Sequence, residues 1–239
     1  CECGKTDELT LERKEYVPTA EVIDELRHYL TRHPELDAVT FSGSGEPTLH
    51  SGVGEIIAFL KREFPRYRVV MLTNSTLLHL PEVRAALMPA DLVIPSLDAV
   101  SEEAFLRINR PKHGLTSSRL IDGLTVFCDA FEHEVWLEVF IIPGINDTPE
   151  ELALFRQVFE RLRVDRIQLN SLDRPGAVDW IEPMPRENLM AIAHRLGDEV
   201  EVVGKPFIRQ RCTAWHDDIR DRILATIRVR PSTLDDLAS

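Results

Sequence analysis

The chain has 239 residues, enough for one large domain or two small ones with a sizeable core. Apolar residues make up 44% and charged residues 28%, the balance of a soluble globular protein, and no apolar run approaches membrane-spanning length. A formal net charge of −12 disfavours a large phosphate-binding surface, and four cysteines in so long a chain predict a reducing, cytoplasmic setting rather than a disulfide framework.

The sequence opens at Cys1-Glu2-Cys3-Gly4-Lys5-Thr6 without a Met, and its end reads like the first turns of a helix. The expectation is a piece excised from a longer protein. Val22, Ile23, Leu26 and Leu30 share one helical face and predict a helix over residues 18–33, followed by a strand over 37–41. A helix over 54–64 leads to the strand RVVML at 68–72, and a short helix over 81–87 to a strand over 91–94. Ser101 reads as an N-cap, with Glu102 and Glu103 in the first turn of its helix. Residues 120–131 are helical and 135–142, VWLEVFII, form the longest strand. Thr148-Pro149-Glu150-Glu151 is a capping box that starts a helix running to about Leu162. A strand over 166–170, a helix over 185–196 and a last strand over 200–203 complete the alternation. Residues 217–239 read as a helix, a break at Pro231 and a capped helix start at Ser232 or Thr233, either the opening of a winged helix or a helical hairpin.

Strands alternating with helices predict parallel βαβ units, and strands apolar on both parities predict burial on both faces. Five or six strands are too few for a closed eight-stranded barrel, so an open or partial barrel, or a doubly wound sheet, is expected. Polar residues gather just past the strands, at 42–46, Thr73-Asn74, Ser96 and Asp98, 144–147, and Asn170-Ser171. In parallel folds ligands bind at that edge, so one site assembled from several strand ends is predicted.

The richest of these segments is VTFSGSGEPTL, residues 39–49. It reads as a buried strand ending in a turn with a bare backbone, with the Glu46 carboxylate at its tip, either solvated or facing a ligand. GSGEPT lacks the Gly-Lys-Ser/Thr ending of a P-loop and the third glycine of a dinucleotide fingerprint. Cys1 and Cys3 stand at the front of the alternation, where thiolates ligate zinc or iron–sulfur clusters; two ordinary reduced thiols are the alternative. Cys128 lies beside Phe127 and Phe131 and reads as core, and Cys212 with His216 offers too few ligands for a metal site. Local basic clusters occur at Arg107, Arg110, Lys112 and His113 and at Lys205, Arg209 and Arg211.

Taken in order, Cys1 followed by ECGKT, LERKEYVP, FSGSGEPTL, LTNST, PSLDAV, INRP, PGIND and QLNSLDRPG resembles the radical S-adenosylmethionine superfamily. The nearest group within it is the Fe–S oxidoreductases related to wyosine-type tRNA-modifying enzymes. The resemblance covers roughly residues 1–196 and implies a partial (β/α)6, TIM-like barrel over 1–212 lacking its first strand, followed by a helical segment over 213–239. It implies a 4Fe–4S cluster with Cys1 as its third ligand, the first two ligands lying upstream. Cys3 falls at a position that is apolar in the family.

The same resemblance assigns the strand ends to S-adenosylmethionine. Ser44, Gly45 and Glu46 match the Gly-Gly-Glu position whose backbone receives the methionine ammonium. Thr73 and Asn74 face the cofactor, or simply make a turn. Ser96 and Asp98 match a polar pair facing the ribose hydroxyls and carboxylate; Asp98 alternatively leads the next helix as a cap. Ile142, Pro143, Gly144, Ile145 and Asn146 match the region that packs on adenine. Glu138, in a buried strand, must be paired or functional. Arg110 is its candidate partner, a clamp on the cofactor carboxylate, or a solvated arginine. Asn170, Ser171 and Arg174 face substrate or adenine. The expected activity is reductive cleavage of S-adenosylmethionine and abstraction of a substrate hydrogen, with electrons from a reductant such as flavodoxin or ferredoxin. The substrate class stays open among small molecule, RNA and protein. The alternatives are an activating enzyme for a glycyl-radical partner protein and a non-catalytic module that binds nucleic acid or protein.

Overall fold

Aliphatic and β-branched runs become strands in this protein because helices bury one side of each. The computed structural model describes residues 9–32, 35–43, 45–172 and 181–204. Cys1, Cys3, Ser44, Arg174, Cys212, His216 and the segment 213–239 lie outside them. Six strands, β1 (Ala38–Phe41), β2 (Arg68–Thr73), β3 (Leu92–Pro95), β4 (Glu134–Phe140), β5 (Arg166–Asn170) and β6 (Val200–Val202), form one sheet in that order. Every pairing is parallel.

Consecutive order decides between the expected architectures. Each crossover leads to the neighbouring strand, and right-handed crossovers then put every helix on the same face. A doubly wound sheet would reverse its strand order at a switch point. This sheet winds like a barrel and stays open between β1 and β6. Helix α1 (Thr19–Leu30) precedes β1, and α2 (Val53–Glu63) and α3 (Pro81–Leu87) follow β1 and β2. Two helices, α4 (Glu102–Ile108) and α5 (Ser117–Ala130), link β3 to β4; α6 (Pro149–Phe159) and α7 (Arg186–Leu196) follow β4 and β5. None of the described helices is long and apolar enough to cross a membrane.

The helices follow from their spacing and ends. In α2, Val53, Ile56, Ile57 and Leu60 recur on one face and are buried, with Glu55 in the first turn and Lys61 and Arg62 in the last. Helix α5 starts three residues earlier than its apolar pattern alone predicts, because Thr116 caps it by accepting from the Arg119 N–H at 3.2 Å. Its Phe127 and Phe131 rings stack at 4.9 Å inside the core. Only half of the expected capping box forms at α6. Thr148 Oγ1 accepts from the Glu151 N–H at 3.2 Å, but Glu151 does not reach back to its own cap. Its buried carboxylate instead accepts from the Val100 and Ser101 N–H groups at 2.6 and 3.0 Å, fastening α6 to the start of α4.

The sheet's two faces differ. In β4, Val135, Leu137 and Val139 are buried under the helices, whereas Trp136, Glu138 and Phe140 on the other parity are half-buried. In β5, Ile167 and Leu169 alternate in the same way with Gln168 and Asn170. The expectation of burial on both faces therefore fails for β4 and β5: helices cover one face only, and the concave face carries polar groups.

At the N-terminal edge of the sheet this face ends in a charged layer. Arg68 pairs with Glu134, Arg166 pairs with Glu201 at 3.4 Å, and both guanidinium groups lie over the Trp136 ring, at 5.7 and 4.8 Å. A cavity of about 560 Å³ opens beside this layer, lined among others by Arg66, Arg68, Asp91, His133, Glu134 and Asp165. Three of its carboxylates are already engaged: Asp91 by Lys61 and the Val69 N–H, Asp165 by the Val135 N–H, and Glu134 by Arg68. It opens at the strand starts, away from the polar strand ends where parallel folds bind ligands.

Candidate cofactor site

The C-terminal ends of β1 to β4 meet along one edge, and four side chains tie them together. Glu46 is the first. The chain leaves β1 after Phe41 and re-enters in a 3₁₀ turn, Pro47–Leu49. Here Glu46 Oε1 accepts from the Thr48 N–H (3.1 Å), Thr48 Oγ1 (2.6 Å) and Thr73 Oγ1 (2.7 Å), while Oε2 accepts from the Asn74 N–H (2.6 Å). The sequence reading put this carboxylate at the tip of the turn. The structure instead folds it inward, because a carboxylate can satisfy several converging donors at once. Burial pushes its pKa up, against the pull of these bonds. Ser42, Gly43 and Gly45 remain exposed, and a Cβ added at Gly45 would meet nothing within 4 Å. Gly43 and Gly45 stand open while the carboxylate beside them is occupied.

Ser75 is the second tie, and the sequence reading missed it. It is fully buried with φ 65°, a left-handed conformation that costs a residue with a Cβ of order 1 kcal/mol. Its N–H donates to Thr73 Oγ1 at 3.2 Å, and its hydroxyl donates to the Ser96 carbonyl at 2.7 Å, joining β2 to β3. Asn74 is exposed. Its Oδ1 accepts from the Thr76 N–H and hydroxyl at 3.1 and 2.7 Å, so the turn chemistry expected of it holds.

Asn146 is the third. It is fully buried and every amide atom is used: Oδ1 accepts from the Ile142 N–H (2.7 Å), and Nδ2 donates to the Asp98 and Phe140 carbonyls (2.8 and 2.7 Å). This bond set fixes Ile142, which is buried, and the loop through Gly144, which is exposed with φ 72° and donates its N–H to Asp147. No local pattern in the sequence announces all of these bonds, since Ile142 and Phe140 lie just before Asn146 but Asp98 comes from the end of another strand. Asp98 is the fourth: its Oδ1 accepts from the Phe140 N–H at 3.0 Å. The cap alternative for Asp98 is thereby corrected, because Ser101 itself caps α4 by accepting from the Ala104 N–H at 3.2 Å.

One level below this edge, on the concave face, lies the Ser96–Glu138–Asn170 group. Ser96 and Glu138 are bridge partners across β3 and β4. Asn170 Nδ2 donates to Glu138 Oε1 at 2.6 Å, and the Ser96 side chain is a further hydrogen-bond partner of Glu138. Burial, then the charge of Asp98, push the Glu138 pKa up, against these two bonds. Asn170 Oδ1 is buried without a partner among the described residues. The proposed pairing of Glu138 with Arg110 is not formed. Arg110 is exposed with φ 44°, and no ion pair among the described residues involves either group.

The edge therefore presents exposed glycines past β1, polar groups at β2 and β3, and the Glu138–Asn170 pair on β4 and β5. A family model described as the Radical SAM superfamily matches residues 1–155. The chain belongs to the radical SAM superfamily. It is 32% identical over 187 residues to a UPF0026 protein of Synechocystis sp., covering 78% of this chain and 66% of that one. It is 36% identical over 174 residues to a protein named GTPase Obg of Brachyspira hyodysenteriae, covering 73% of this chain and 25% of that one. The chain thus spans a quarter of the second relative and just under two thirds of the first. Two solved structures share the fold: a domain of pyruvate-formate lyase-activating enzyme from Bacteroides vulgatus (TM-score 0.56, 19% identity, 71% of this chain and 100% of that one) and a radical SAM methyltransferase from Sphaerobacter thermophilus (TM-score 0.58, 18% identity, 77% and 56%).

Radical SAM membership implies S-adenosylmethionine and an Fe–S cluster, and the two can be tested separately against the residues. The edge, with its unpartnered Asn170 Oδ1 and exposed Gly43 and Gly45, fits a polar ligand rich in donors. The described residues offer the cluster no thiolate. Their one cysteine, Cys128, is buried in α5, and burial drives its pKa up to about 12.

Proposed function

We propose that the chain carries the S-adenosylmethionine-binding part of a radical SAM enzyme that abstracts a hydrogen atom from its substrate. The observation that carries this reading is the open backbone at Gly43 and Gly45, beside a Glu46 that is bonded inward to Thr48, Thr73 and Asn74. In this reading the peptide groups of Ser44 and Gly45 hold the methionine ammonium. Thr73 and Asn74 support that turn, and Ser96 and Asp98 line the adjoining wall. Ile142 and Gly144 flank the adenine, and Arg110 reaches the cofactor carboxylate from its loop. Cys1 is the cluster ligand. When bound, S-adenosylmethionine and a reduced 4Fe–4S cluster supply one-electron cleavage of the sulfonium and hydrogen abstraction. The protein's own share is to orient the ligand through fixed backbone groups and to keep water from the reacting atoms.

The order of motifs supports the finer kinship with Fe–S oxidoreductases related to wyosine-type tRNA-modifying enzymes. A flavodoxin- or ferredoxin-like reductant follows from the chemistry. The test is anaerobic reconstitution of the full-length protein with iron and sulfide, reduction, and chromatographic assay of 5′-deoxyadenosine. Formation of 5′-deoxyadenosine that depends on both reductant and Cys1 supports the reading, and its absence from reconstituted protein rejects it.

A further inference from the structure

Glu138 and Asn170 pose a problem of charge and valence. Glu138 lies half-buried on the concave face of β4, beside the charge of Asp98, and no cation pairs with it among the described residues. Its neighbours Ser96 and Asn170 supply neutral hydrogen bonds only. Asn170 spends its Nδ2 on Glu138 and leaves Oδ1 buried and without a donor. An uncompensated carboxylate and an orphan carbonyl oxygen are each costly to bury, and here they lie side by side on one wall. The group that relieves both is a cation with more than one N–H. A hydroxyl would serve the carbonyl oxygen and leave the charge.

Position separates this wall from the open turn. Three inter-strand steps, about 14 Å, divide β1 from β4, so a methionine ammonium held at residues 42–45 does not reach Glu138. We propose that Glu138 and Asn170 bind a cationic amine nitrogen of the substrate, Glu138 neutralising its charge and Asn170 Oδ1 accepting one of its N–H bonds. The proposal rests on the radical SAM reading for calling that ligand the substrate, while the site itself rests on these two side chains.

The test uses the full chain with 1,4-diaminobutane as the probe, 1,4-butanediol as its uncharged counterpart, and S-adenosylmethionine and adenosine alongside, followed by ligand-observed NMR and thermal shift at pH 8. The diamine is expected to bind saturably below about 10 mM and the diol to show no saturable binding. Glu138→Gln, which removes the buried charge, is expected to raise the ligand-free melting temperature yet weaken diamine binding at least about tenfold. Asn170→Asp adds a charge and is expected to tighten diamine binding at least about threefold. This gain cannot be produced by misfolding. No saturable diamine binding, or equal affinity for diol and diamine, overturns the proposal. So does a Glu138→Gln protein that loses adenosine and keeps the diamine, because the pair would then read ribose hydroxyls. A wild-type protein that binds the diamine but not S-adenosylmethionine supports the amine site and counts against the cofactor reading alone.

Discussion

Replacing Glu46 by Ala tests whether this carboxylate holds the edge together from inside. The change strands four donors: the Thr48 N–H and hydroxyl, the Thr73 hydroxyl and the Asn74 N–H. Their surroundings set the magnitude. Asn74 is exposed, so its N–H regains a water partner at little cost. Thr48 is fully buried and Thr73 nearly so; the hydroxyls can rotate in search of other acceptors, but the Thr48 N–H cannot. At about 1–3 kcal/mol for a stranded buried donor, the sum comes to about 2–4 kcal/mol. In a body of this size that lowers the melting temperature by roughly 4–16 °C. Urea unfolding gives the free energy directly, and hydrogen exchange at the Thr48 and Asn74 amides shows where protection is lost. Thr73→Val removes one of the same bonds and also strands the buried Ser75 N–H, so it is expected to cost about 2–4 kcal/mol. Combined with Glu46→Ala it should cost less than the sum, since the two residues share a bond. A loss under about 0.5 kcal/mol for Glu46→Ala, the range of an ordinary surface substitution, would refute the reasoning and return the carboxylate to the tip of the turn.

Other perturbations test separate parts of the frame. Gly123→Ala places a Cβ 2.4 Å from the His79 backbone nitrogen and 2.8 Å from the Leu78 carbonyl carbon, so α5 must move off the 77–79 turn; a loss of about 1–3 kcal/mol in urea unfolding is expected. Cys128, its thiol pushed up to about 12 by burial, should resist alkylation in the native protein at pH 8 and react once urea unfolds it, as mass spectrometry would show. For Asp91, burial raises the pKa, but the bonds from Lys61 and the Val69 N–H and the Lys61 charge outweigh it and the net shift is downward. Its stabilisation is therefore present above the unfolded-state pKa and lost as pH falls through the folded one. Asp91→Asn should cost about 1 kcal/mol at pH 7 and progressively less in acid. Glu138 has the opposite sign. Its raised pKa means a contribution that is complete below the unfolded value and lost as pH rises through the folded one, so the stability of Glu138→Gln relative to wild type should grow across that window.

Much of the scaffold was legible because strands and helices here obey local rules. The apolar runs at β4 and β5, the Pro and Thr start of α6 and the Ser101 cap of α4 each depend on residues a few positions apart, although the runs themselves do not announce the alternation of buried and half-buried residues along β4 and β5. The strand ends were legible as a group for the same reason, since polar residues follow each apolar run. Side-chain direction was not. Glu46 reads as a solvated tip until Thr73 and Asn74, 27 and 28 residues on, are brought beside it. Glu151 reads as a capping-box residue until Val100 and Ser101 are folded against it. Asn146, Ser75 and Glu151 share this property: each is polar, buried and satisfied by backbone groups from another segment, which no local pattern encodes.

The alternation in β4 then explains how one strand serves both stability and function. Val135, Leu137 and Val139 bury their side chains under the helices and, at about 1.5–3 kcal/mol each, hold the strand in place. Trp136, Glu138 and Phe140 face the other way and share no partner with them. At its lower end this polar parity is neutralised, with Trp136 between two arginines that each have a carboxylate. At its upper end it is not, with Glu138 meeting only neutral donors and Asn170 left with an unused acceptor. A sheet selected for stability alone would place an apolar residue at 138, as it does at 137 and 139. The charge persists on the stretch of the concave face just below the stitched ends of β3 and β4, and that is where a ligand rather than the protein completes the valence.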